Sequence, residues 1–274
     1  MKNALMIIVL SVFSAMSFAQ MDTIYTNNEK IACSVKEITA DAIKFSYPNE
    51  DLVNTVYKNT VQKVVMKSGR VQTFAEATSY KTVFGAEDCE NVTLTSVQSE
   101  VNGLFKLGEV SAKAKGTTVL SSMEKVKERA YHKMKVVAAM MAANIVYLTQ
   151  NNTTGNQMGT QFTAGKSTET NLAGVAYSNK LPNFDDFVKL IGERTQFQTF
   201  EKLVLSGSDA DMSKYQSIKN LKVLRVYNES GLIMMDAKME GNNFTTFRVI
   251  HFENNGFTLV YKDRDTIYNY KIGF

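Results

Sequence analysis

Between residues 22 and 84 apolar and polar residues alternate in short runs. Thr23–Thr26, Lys30–Thr39, Ala42–Tyr47, Thr55–Lys58, Val61–Lys67 and Val71–Phe74 each alternate with period two, which puts the apolar side chains on one face of a strand. The breaks between them, Asn27-Asn28, Ala40-Asp41, Pro48-Asn49 and Ser68-Gly69, are residues that suit turns. Six short strands joined by tight turns predict a β-rich module over 20–84, a small barrel or roll.

The pattern then changes. Asn91–Gln98 and Leu104–Lys113 read as strands, and Met123, Val126, Ala130, Met134, Val137 and Met141 recur every three or four residues. That spacing predicts one long helix over 122–143, with Glu124, Lys125, Glu128, Arg129, His132, Lys133 and Lys135 on its polar faces. Ser121-Ser122-Met123-Glu124 has the spacing of a capping box, with Ser121 as the expected cap. Asn144–Leu148 and Leu172–Tyr177 read as strands on either side of a polar Thr- and Gly-rich stretch. Residues 85–180 are therefore expected to form an α/β domain.

Leu181-Pro182 marks the next boundary. Phe184, Phe187, Val188 and Ile191 predict the inner face of a short helix that opens with Asp185 and Asp186. Strand-like runs follow at Thr195–Ser206, Leu221–Tyr227, Leu232–Met239, Phe244–Phe252, Phe257–Tyr261 and Thr266–Ile272. Turn residues stand between them at Asn228–Gly231, Glu240–Asn242, Asn254–Gly256 and Lys262–Asp265. This predicts an antiparallel β meander over 181–274. Phe244–Phe252 is apolar on both faces, which suits a central strand. The whole chain reads as α+β.

Composition narrows the chemistry. Two Cys and two His in 274 residues leave too few donors for a thiolate zinc site or a histidine cluster. The net charge of +4, or +4 − 1 = +3 once a leader carrying Lys2 is removed, is too mild to point to nucleic acid or anionic lipid. The start of the chain adds more. Lys2 precedes the apolar run Ala4–Met16, and Ser17-Phe18-Ala19 sets small residues before a cut between Ala19 and Gln20. This is the pattern of a secretory signal peptide over 1–19. The run is shorter than the roughly 20 residues of a spanning helix. No Cys follows the cut, so no lipid anchor is expected, and no later run is long enough for a transmembrane segment. The expected location is periplasmic or extracellular. In an oxidising compartment Cys33 and Cys89 are a possible disulfide; the alternative is a buried Cys33 thiol and a separate Cys89.

Two stretches resemble known families. DTIYTNNEKI, VKEITADAIKF and VYKNTVQKVVMKSG, within residues 22–69, resemble a recurrent N-terminal β-rich module of exported Gram-negative proteins. That resemblance implies an assembly or attachment unit without an activity of its own. Cys33, Ala32 and Asn28 depart from its pattern. In residues 128–177, Ala138-Ala139 and Ala142-Ala143 followed by Asn144-Ile145-Val146-Tyr147-Leu148, and later LAGVAY, are similar to the small periplasmic α/β domain. The Rcs stress-sensor lipoprotein and the heavy-metal-binding domains typify that family. The similarity implies a helix ending in small residues and passing into a core strand. The family's paired cysteines are missing here, so neither a metal nor a signalling role is implied.

Searches for catalytic motifs find none. Ser206-Gly-Ser-Asp209 lacks the spacing of a nucleophile elbow. Gly165-Lys166-Ser167 ends like a phosphate loop, but Thr160 stands where the first glycine belongs. His132 falls on a polar helix face, and His251 falls between apolar neighbours in a strand. Glu50-Asp51, Asp185-Asp186 and Asp209 with Asp211 suit turns and helix starts. The leading expectation is an exported non-enzymatic envelope or surface protein, without cofactor or metal, that acts as an interaction or structural module on an envelope protein partner. The alternatives are a carrier of a small apolar ligand in the C-terminal β domain and an unrecognised hydrolase.

Overall fold

The computed structural model describes residues 21–26, 29–74, 80–160, 162, 164–209 and 211–274. The expected signal segment, with Ala19 and Gln20, lies outside them. The chain divides into two compact units, one up to residue 77 and one from 78. The expected first boundary at 84 thus lies some residues earlier. The expected second and third domains fall into a single unit.

The first unit holds the six expected strands, β1 (Asp22–Thr26), β2 (Lys30–Ile38), β3 (Ala42–Ser46), β4 (Asn54–Tyr57), β5 (Val61–Val65) and β6 (Val71–Thr73). They form one antiparallel sheet in the order β4-β3-β2-β1-β5-β6. Among the described residues no pairing joins β4 to β6, so the ladder is open and closure into a barrel is not seen. The alternation works as expected: Ile24, Ile31, Cys33, Ile43, Phe45, Val61 and Val64 turn to one face and form the core. Asp22 is nearly buried at the start of β1. Its carboxylate accepts hydrogen bonds from the Val35 amide at 2.8 Å and the Lys67 amide at 2.6 Å. Asp22→Ala leaves both amides without this acceptor. It is expected to lower the stability of the unit by about 2 kcal/mol, read by urea unfolding of the full chain; an unchanged midpoint would refute this role.

The second unit opens with a 3-10 turn at Ala86–Asn91, then β7 (Thr93–Thr95), another such turn at Gln98–Val101 and β8 (Phe105–Lys115). Helix α1 (Met123–Ala139), β9 (Ile145–Thr154) and β10 (Glu169–Ser178) follow. The sheet order is β7-β9-β10-β8, with β7 parallel to β9 and the other pairs antiparallel. Ser122, not Ser121, caps α1: its hydroxyl accepts from the Lys125 amide, while the Ser121 hydroxyl accepts from Thr118. The helix stops at Ala139, four residues short of the expected end. Ala142 adopts a left-handed φ of 56°, which turns the chain into β9. The predicted apolar face holds for Val126, Ala130, Met134 and Val137, but Met123 is exposed in the first turn. Gly174 is required by close approach at the β9–β10 irregularity, since a Cβ there would lie 2.5 Å from the Tyr147 carbonyl.

The last stretch starts with helix α2 (Phe184–Ile191), capped by Asn183. Phe187 and Ile191 are buried, whereas Val188, expected inside, is exposed. The strands are β11 (Gln196–Leu205), β12 (Ser213–Gln216), β13 (Asn220–Glu229), β14 (Leu232–Met239), β15 (Thr246–Glu253), β16 (Gly256–Asp263) and β17 (Thr266–Gly273). From β13 to β17 they form the expected meander, and β15 is central. The short β12 has no apolar alternation and escapes a sequence reading. β11 pairs with β13 near its start and with β17 along most of its length, so the ladder returns to its own first strand.

This sheet buries both faces. One face gathers Phe197, Leu221, Ile233, Met235, Phe247, Phe257, Leu259 and Tyr270, together with Phe187 from α2. The other face of β11, β15, β16 and β17 contributes Leu203, Leu205, Ile250, Val260 and Ile267 to a second core. That core also holds Ala130, Met134 and Val137 of α1 with Val110, Val146, Leu172 and Ala176 of the four-stranded sheet. One hydrophobic core thus joins the expected α/β domain to the meander.

Buried and part-buried polar groups reinforce that junction. Arg248 donates to the carbonyls of Leu107 and Met141, both at 2.9 Å. Asn269 donates to the Met140 carbonyl at 2.9 Å. Lys133, expected on the polar face of the helix, is buried and donates to the carbonyls of Gly207, at 2.7 Å, and Asp209. Each of these donors lies on one side of the junction and each acceptor on the other. Among the described residues no helix is long and apolar enough to cross a membrane.

Candidate functional site

The segment 84–91 carries two features that the sequence did not single out. Its first part walls a cleft of about 510 Å³ against the meander strands, lined among others by Phe84, Glu87, Phe200, His251, Glu253 and Lys271. Phe84 lies tilted against the His251 ring, with centroids 4.4 Å apart, yet is half exposed. Its amide donates to the Asp88 carboxylate at 2.8 Å, which fixes the start of the turn. His251 also meets Glu253, through Nε2 at 3.1 Å. Phe200 is also about half exposed.

Ion pairs brace one edge of this cleft. Glu201 meets Lys214 at 2.7 Å and Lys271 at 2.9 Å, while Glu87 meets Lys271 at 3.1 Å. Burial works against the charge of Glu201, but hydrogen bonds from Lys214 and Lys271 outweigh it and hold the carboxyl below its usual range. Burial also opposes the charge of Lys271, and its bonds to Glu201 and Glu87 outweigh that and raise its pKa. The 3-10 turn is thereby tied to β11 and β17 through side chains rather than through a ladder.

The second part of the segment meets α1. Cys89, Glu90 and His132 each present one donor atom, and the three atoms lie within 4.8 Å of one another. Glu90 contacts His132 Nδ1 at 3.1 Å and accepts from Lys135 at 2.9 Å. The hydrogen bond from Lys135 is the main reason that Glu90 titrates below its usual range. The sequence reading found no ligand set, because Cys89 and His132 sit on different elements. Only the packing of the 3-10 turn on the helix brings them together.

The same trio has the outline of a thiol nucleophile, a base and an orienting carboxylate. Burial first, and then the charge of Glu90, raise the Cys89 thiol above its usual value, whereas an activated nucleophile needs a lowered one. Cys33 is a separate thiol in the core of the first unit, pushed up to about 11 by burial and by Asp22. Both cysteines are free thiols in this structure.

Asp185 and Asp186 lie in the first turn of α2. Gly165-Lys166-Ser167 lies in the β9–β10 connection, where Lys166 bridges to Gln157, and no helix starts there. Aromatic rings fill the inner face of the meander: Phe187 packs against Phe252 at 5.3 Å and Phe257 at 5.4 Å, and Phe197 against Phe257 at 5.3 Å. Comparison of the chain with protein-family models, curated proteins and solved structures finds no match to any of them.

Proposed function

We propose that this chain is an exported, non-enzymatic envelope or surface protein that works by binding another envelope protein. The cleft walled by residues 84–88 is its binding surface. The observation that carries this reading is the pair of half-exposed aromatic rings, Phe84 and Phe200, at a cleft edged by ion pairs. Aromatic anchors inside a charged rim are the composition of protein interaction surfaces. Charges of both signs at the rim favour a polypeptide segment that inserts an apolar side chain. The packed inner face of the meander favours this outer cleft over a carrier of a small apolar ligand.

A photo-crosslinking residue in place of Phe200 tests the reading in intact cells. The expected result is a crosslink to an envelope protein that the added substitution Phe84→Glu weakens at least about tenfold, as loss of a hot-spot aromatic does. Absence of any crosslink, or one indifferent to Phe84→Glu, would refute it. The same sample tests export, because the processed chain is expected to begin at Gln20.

A further inference from the structure

We propose that Cys89, Glu90 and His132 form a binding site for a zinc-type divalent cation. The three donors are a thiol sulfur, a carboxylate oxygen and an imidazole nitrogen, the ligand set that zinc takes in proteins. They come from two elements, the 3-10 turn Ala86–Asn91 and helix α1, so the site is preformed by packing and not by one flexible loop. Their donor atoms lie within 4.8 Å of one another. Tetrahedral coordination with bonds of 2.0–2.3 Å sets donors roughly 3.5 Å apart. Drawing in by about an ångström needs only side-chain rotation, and Glu90 and His132 are both exposed enough to rotate.

Lys135 supports this arrangement as a positioning residue. It holds Glu90 Oε2 at 2.9 Å while Oε1 points to His132. The carboxylate therefore offers Oε1 to a cation and keeps its other oxygen on the ammonium, the second-sphere role that orients ligands in metal sites. Three protein ligands leave a fourth position for water or for a donor from a partner. Coordination requires the thiolate, so binding releases the Cys89 proton to solvent as the sulfur–metal bond forms. It also requires Cys89 to be unpaired, which makes this site and a Cys33–Cys89 disulfide mutually exclusive.

The test uses the full chain and zinc or cobalt ions alone. Zinc titration by calorimetry is expected to show one site, and cobalt is expected to give a thiolate charge-transfer band. Cys89→Ser should abolish that band and weaken zinc binding at least about tenfold, as should His132→Gln. Because His132 is exposed, its variant keeps the test valid if Cys89→Ser fails to fold. Glu193→Gln, exposed and remote from the site, should bind as the parent does. A parent without stoichiometric binding, variants that bind as the parent, or an intact mass showing Cys89 in a disulfide would each overturn the site.

Discussion

Arg248→Ala is expected to destabilise the second unit by about 4 kcal/mol. Arg248 is part-buried, and burial of its guanidinium pulls its pKa down to about 10, so it is still charged at neutral pH. It has two strong acceptors, the carbonyls of Leu107 and Met141. The Met141 carbonyl lies just past the end of α1, where the helix dipole favours a cation. Removing the side chain takes this donor away from both carbonyls at once. Arg248→Lys should recover only part of the loss, because one ammonium does not reproduce a planar fork. Urea unfolding followed by far-ultraviolet circular dichroism reads the effect. A midpoint within error of the parent would show that the junction does not depend on this residue.

Phe187→Ala is expected to cost about 4 kcal/mol in the same unit, chiefly by leaving a cavity. Phe187 is fully buried, although it comes from a helix of only two turns. It packs against Phe252 and Phe257, the latter edge-on, and so joins α2 to β15 and β16. The cavity gives a second readout. An apolar hole lined by Phe and Ile side chains stays dry and accepts small aromatic molecules. Benzene is therefore expected to raise the melting temperature of Phe187→Ala and not that of the parent. A parent that responds equally would mean that its meander already holds ligand space, and would revive the carrier reading.

These two residues differ in how far they could be foreseen. Phe187 lies in the apolar stripe of a short amphipathic helix, so its burial is legible from spacing. Val188 belongs to the same stripe by sequence and is exposed, because a helix of eight residues buries only its narrowest face. Arg248 is polar in an apolar strand and would be assigned to solvent. Its burial depends on α1 and β8, more than 100 residues earlier in the chain. Lys133 misleads in the same way. Its long stem suits a helix surface, yet its ammonium meets carbonyls 74 and 76 residues away.

The candidate metal site was hidden for a related reason. Cys89 and Glu90 are adjacent, but His132 is 42 residues from Glu90 and carries no motif with them. A ligand set of three with no regular spacing has no signature in a single chain. The cleft is equally silent, since Phe84, Phe200 and His251 come from segments that read as a loop and two ordinary strands.

What the sequence determined by itself is local: the six short strands of the first unit, α1, α2, the strands of the meander and the α+β class. Each rests on a repeat of two or about 3.6 residues, and each repeat is set by the backbone geometry of the element it builds. Only the tertiary structure decided that the helix-bearing sheet and the meander share one core, and that β11 pairs with β17. It likewise decided which polar groups sit inside. Apolar residues on both faces of β15 announce that something covers each face, but burial is non-directional and does not say what. The choice of partner lies in single hydrogen bonds between distant segments, such as Arg248 with Leu107 and Met141, and those form only once the surfaces have met.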